Sequence, residues 1–82
     1  MSDKGGTKYA DLSETEEAAL IGLMSRKEQD IYLADVTGAS DDDVADAADT
    51  SINAVRVVRS KIRSRHIPEA REIARLVEDR MM

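Results

Sequence analysis

Four hydroxyl residues stand where helices could begin. Ser13 is followed three positions later by Glu16, Ser25 by Glu28 and Ser40 by Asp43, while the string Thr50-Ser51-Ile52-Asn53 offers a further hydroxyl cap. In such a cap the serine oxygen accepts the backbone N–H three residues on, and a glutamate at that third position reaches back to the N–H of the cap. Start signals recurring about every dozen residues divide the chain into short helices and leave no room for a sheet and its crossovers. The apolar spacing behind the caps is helical: Leu20, Ile21, Leu23 and Met24, then Ile31, Tyr32, Ala34 and Val36, ending at Gly38.

Composition agrees with helices. Of 82 residues 41% are hydrophobic, yet only Tyr9 and Tyr32 are aromatic, so the core is thin and aliphatic. Four glycines and one proline are too few for many hairpins. We therefore expect an all-α chain of five short helices. These cover 14–23, 26–37, a short stretch on Val44, Ala45, Ala47 and Ala48, then 52–65, and last a helix within 68–82 that restarts after His66-Ile67-Pro68, where proline disfavours a helical residue before it. Residues 1–11, with a Gly pair and no apolar period, read as a flexible arm. Residues 12–67 form the central domain, and 68–82 a C-terminal helix suited to oligomerisation. On that helix Ile73, Leu76, Val77 and Met81 form a stripe wide enough to bury against a second subunit, and Arg75 with Asp79 has i,i+4 spacing.

The charge is −5 overall but unevenly placed. Residues 41–49 carry five aspartates and no base, whereas 56–65 carry Arg56, Arg59, Lys61, Arg63 and Arg65 with no acid. A cluster of one sign on one element is what a phosphate backbone responds to, since screening confines each potential to about 8 Å. Ala45, Asp49 and Val55, separated by three and five residues, match the skeleton of a helix-turn-helix: a small residue for close crossing, a turn four positions later, and a β-branched anchor in the second helix. Val44, Ala48, Thr50 and Val58 take the other inward positions. That register turns Ser51, Ile52, Asn53, Arg56, Val57, Ser60 and Arg63 toward a major groove, about 12 Å wide.

The stretch from Met24 to Ile62 resembles the effector domain of LuxR-type regulators and the promoter-reading fourth region of sigma-70 factors. Gly38-Ala39-Ser40, Val44-Ala45 and Ser51-Ile52-Asn53-Ala54-Val55-Arg56 fall in the places of the family's turn, small-residue pair and recognition-helix start. The resemblance implies a DNA-binding domain that enters the major groove with helix 52–65 and dimerises through its last helix. Asp49 stands where the family usually has glycine, in a turn that favours positive φ. No receiver or ligand-sensing segment accompanies the domain, so no sensing role carries over.

These readings give double-stranded DNA as the expected partner, in transcription regulation. The expected DNA-binding residues are Ser51, Asn53, Arg56, Arg59, Ser60, Lys61, Arg63 and Arg65. Asn53 and Arg56 suit base edges, and Arg59, Lys61, Arg63 and Arg65 suit the phosphate backbone. A homo-oligomer through 69–82 is expected as well. The alternatives are a protein-interaction module, adaptor or anti-regulator, whose acidic helix 41–49 meets a basic partner, and a phage small-terminase-like subunit that recognises DNA.

An enzyme is not expected: no general base stands at an interpretable distance from a nucleophile, no glycine-rich phosphate loop occurs, and a chain this short does not readily enclose a pocket. No cofactor or metal site is expected, since there is no cysteine, the lone His66 reads as a helix-end or phosphate contact, and Asp41-Asp42-Asp43 lacks the EF-hand pattern and reads as a solvated helix start. With no apolar run of about 20 residues and no secretory signal, the sequence predicts no membrane partner and a cytoplasmic location.

Overall fold

The computed structural model describes Tyr9 and residues 11–81. The rest of the expected arm, residues 1–8 and 10, lies outside the described residues, as does Met82. The described chain is all-α, in the order α1 (Glu14–Leu23), α2 (Arg26–Val36), α3 (Asp41–Ala47), α4 (Ile52–Lys61), a π turn (Ile62–His66) and α5 (Ile67–Met81). The last three pieces abut without a break, so there are four helical rods rather than the five helices expected. The interruption at His66-Ile67-Pro68 does not occur. Instead the backbone widens: the N–H of Ile67 bonds the carbonyl of Ile62, five residues back. Pro68 in a regular helix would drive its ring into the carbonyl four residues earlier, and the wider π turn just before it relieves that crowding.

The caps act as their spacing predicts. Ser13 Oγ accepts the N–H of Glu16 at 3.2 Å while Glu16 Oε1 accepts the N–H of Ser13 at 2.9 Å. Ser25 and Glu28 repeat the arrangement at 3.2 and 3.0 Å. Ser40 and Ser51 accept from Asp43 and Ala54. α2 and α3 both end in a left-handed residue, Gly38 at φ 87° and Asp49 at φ 54°. At each end one N–H bonds five residues back, Ala39 to Ala34 at 3.2 Å and Thr50 to Ala45 at 2.9 Å, which satisfies carbonyls the helix leaves open.

Two clusters form the core. Leu20 of α1, Met24 just after it, Tyr32 of α2, Ile62, Ile67 and Ala70 make the first. Ile31, Val44, Ala45, Ala48 and Val55 make the second, and half-buried Val58 touches both. Ala70 and Ala74, almost fully buried, let α1 approach α5 closely. Tyr9 also belongs to the first cluster, at 7% exposed, which corrects the reading of residue 9 as part of a flexible arm. Its ring packs against Tyr32 at 5.2 Å between centroids, and a core with so few aromatics gains much from one such side chain. Arg75 pairs with Glu72 at 2.6 Å instead of Asp79, on the exposed side of α5.

Candidate nucleic-acid interface

α4 joins α3 through the short turn 48–51, and Val44, Ala45 and Ala48 seat it against Val55. Val55, Arg59 and Ile62 fall at intervals of four and three on the covered side. Ile52, expected to face outward, is half-buried against the second cluster, because the first turn of α4 leans on α3.

The covered side contains a charge. Arg59 is 8% exposed, and its Nε and Nη2 donate to Asp35 Oδ2 and Oδ1 at 2.9 and 2.7 Å. Nη2 also donates to Asp41 Oδ1 at 2.8 Å, and the Tyr9 hydroxyl donates to Asp35 Oδ2 at 2.6 Å. Arg59 is therefore withdrawn from the phosphate-contact set. Asp35 is fully buried on α2, and a buried carboxylate needs a cation and donors in reach. The bonds to Asp35 first, then those to Asp41, hold the guanidinium protonated more firmly than usual against the opposing effect of burial. Tyr9 is pushed well above its ordinary range, by burial first and then by the bond to Asp35. Asp41 is likewise not only a solvated helix start, since it closes the far side of this network.

A second hub lies one turn further on. Glu28 accepts from Lys61 Nζ at 3.0 Å and meets His66 Nε2 at 3.2 Å. Burial works to raise the Glu28 carboxyl, but the Ser25 backbone bond, Lys61 and His66 outweigh it and hold Glu28 below its ordinary value. Lys61 keeps 44% side-chain exposure, so it stays within reach of solvent while paired. His66 is buried with Nδ1 unpartnered, which removes it from a phosphate or helix-end role. Arg63 lies over the Tyr9 ring, 5.4 Å from its centroid, a cation–π contact that draws it partly back toward the body.

The opposite side of α4 is different. Asn53, Arg56 and Ser60 are exposed there and follow at i, i+3 and i+7 along a stripe about 10 Å long, with the N-cap Ser51 exposed before it. Val57, 67% exposed, flanks that stripe. Among the described residues neither Arg56 nor Arg65 has an acidic partner. Of the eight expected residues, the fold thus aligns Asn53, Arg56 and Ser60 on one open face, leaves Ser51 exposed at the N-cap, places Lys61, Arg63 and Arg65 on exposed positions after it, and puts Arg59 inside. Asp42, Asp43 and Asp46 on α3 and Asp49 in the turn after it are exposed. Their negative charge sets α3 and its turn apart from the basic stretch 61–65 that follows α4.

Sequence reasoning missed Asp35, Tyr9 and Glu28 as structural hubs. The available signal was the spacing Glu28, Ile31, Tyr32, Asp35, at i, i+3, i+4 and i+7, which puts two acids inside an apolar stripe. Among the described residues no cluster of three or more His, Asp or Glu side chains is placed to hold a metal ion, and no helix is long and apolar enough to cross a membrane. Compared with family models, curated proteins and solved structures, the chain matches none.

Proposed function

We propose that this chain binds double-stranded DNA as a helix-turn-helix protein, with α3 and α4 as the two helices of the motif and α4 in the major groove, and that it acts in transcription control. The observation that carries the reading is the open stripe Asn53, Arg56 and Ser60 on a helix whose other side is pinned by Val55 and by the buried Asp35–Arg59 pair. A recognition helix needs such a combination: an inner face that cannot rotate and an outer face whose donors are uncommitted. Asn53 would read adenine and Arg56 guanine through paired hydrogen bonds. Lys61, Arg63 and Arg65 would take phosphates.

Fluorescence anisotropy on duplexes selected from a random pool tests this. Arg56→Ala changes the preference at one base, whereas Lys61→Ala weakens all sequences alike and lowers the salt slope by about one. Three phosphate contacts per chain predict a fall in affinity of about 40-fold between about 50 and 200 mM salt. Equal effects of the two substitutions would remove the assigned roles.

The exposed row Asp42, Asp43, Asp46 and Asp49 favours a second reading, an interaction module that engages a basic protein surface. Absence of any gel shift at low salt would favour it over DNA.

A further inference from the structure

Every residue from Arg75 to Met81 is exposed, so no side of the last two turns of α5 is covered by the rest of the chain. Large apolar side chains remain there: Leu76 is 54%, Val77 41% and Met81 80% exposed. Leu76, Val77 and Arg80, with half-buried Ile73, line an open groove of about 230 Å³.

The order of residues along this face indicates what fills it. Glu69, Ile73, Leu76 and Arg80 follow at intervals of four, three and four, the spacing of a seam between paired helices. At about 100° per residue they fall within an arc of about 60°. The seam has an acid at one end, a base at the other and two aliphatic side chains between. Among the described residues neither Glu69 nor Arg80 has an ion-pair partner, whereas the neighbouring Glu72 is already answered by Arg75. Laid against a second copy running the opposite way, with a dyad beside residues 74 and 75, Glu69 meets the partner subunit's Arg80 and Ile73 meets the partner subunit's Leu76. The two-fold axis repeats both pairs. A parallel arrangement would instead set Glu69 against Glu69 of the partner subunit and Arg80 against Arg80 of the partner subunit, like charges at both ends.

We propose that α5 is the interface of an antiparallel homodimer, with the seam Glu69, Ile73, Leu76 and Arg80 pairing onto itself. The seam spans about 16 Å, so the contact is small and the dimer dissociates in the micromolar range. Nothing in this pairing uses α4, and it stands or falls apart from DNA binding.

Sedimentation velocity of the full chain over a micromolar concentration series tests the proposal, with far-UV circular dichroism to confirm that each variant keeps its helices. The unmodified chain is expected to shift from monomer to dimer as concentration rises. Glu69→Arg and Arg80→Glu should each weaken the dimer by about tenfold or more through like-charge contact, and the two together should restore it. Because the chain has no cysteine, a second measurement fixes the direction of pairing. Ile73→Cys chains mixed with Leu76→Cys chains should form a disulfide-linked pair on oxidation, and either variant alone should form little. A monomer at every concentration, failure of the double charge swap to rescue, or equal self-crosslinking of each cysteine variant would overturn the proposal. A chain that binds duplexes while remaining monomeric overturns this inference and leaves the DNA reading standing; a dimer with no affinity for duplexes does the reverse.

Discussion

Replacing Arg59 by alanine distinguishes a cation that faces DNA from one that holds the fold together. In the structure the Asp35 carboxylate, fully buried, accepts one bond from Tyr9 and two from Arg59. Arg59→Ala removes both guanidinium bonds and takes from a buried anion the Arg59 charge that faces it. Breaking a buried pair by deleting one partner costs about 3–5 kcal/mol. For a domain of this size that is a fall in Tm of about 12–40 °C, out of a total stability of about 5–15 kcal/mol. Arg59→Lys keeps the charge but cannot form the two-pronged contact, so it should lie between the wild type and the alanine variant. Asp35→Leu combined with Arg59→Met, which removes both charges, should cost less than Arg59→Ala alone, because no ion is left uncompensated. Urea unfolding followed by far-UV circular dichroism measures all three. On duplex DNA, Arg59→Lys under folded conditions should leave the salt slope unchanged. A cost below about 1 kcal/mol for Arg59→Ala, together with a slope reduced by about one, would show that Arg59 serves phosphate and that the buried network has been misread.

Other perturbations follow from the same geometry. Asp49→Gly should stabilise the chain by about 0.5–1 kcal/mol, seen as a higher urea midpoint, since glycine adopts φ 54° without the strain aspartate bears there. Tyr9→Phe keeps the ring contact with Tyr32 but takes one bond from Asp35, and should cost about 1–2 kcal/mol in the same assay. At alkaline pH, Tyr32 is pushed up to about 12 from 10.0, by burial and then by its bond to Glu17. A folded-state value above the unfolded one means that the folded chain holds its proton longer. This stabilisation is complete below about pH 10 and is lost as pH rises from there toward about 12, and Tyr32→Phe should flatten that part of the stability curve. Glu28 gives the opposite sign. Held below its ordinary 4.5, it stabilises fully above that value and loses the contribution as pH falls through the lowered folded value, a loss Glu28→Gln should abolish.

Much of the fold is written locally. The pairs Ser13–Glu16 and Ser25–Glu28 set two helix starts to the residue, because a cap is a contact between groups three positions apart and needs no tertiary information. The left-handed residue at Asp49 was marked only by the resemblance, which sets it where glycine is usual and where a positive φ is favoured. What could not be read locally was the fate of charges. Periodicity assigns charged residues to the outside by default, so Asp35 and Glu28 dropped out of the α2 stripe to which Ile31 and Tyr32 belong. The same default turned Arg59 outward, although its spacing from Val55 and Ile62 placed it on the covered side of α4. Each misassignment is harmless alone and decisive together: a buried acid on one helix and a base in the facing stripe of another have to be matched across 24 residues of sequence before either looks internal. Tyr9 escaped for a related reason, since a single aromatic in a polar, glycine-bearing segment has no periodic neighbours to mark it as core. Once Asp35 and Arg59 answer each other, α4 can neither slide nor roll against α2 without exposing an unpaired ion. That constraint fixes the direction of Arg56, exposed about 60° round the same helix from Arg59, where no acid among the described residues meets it.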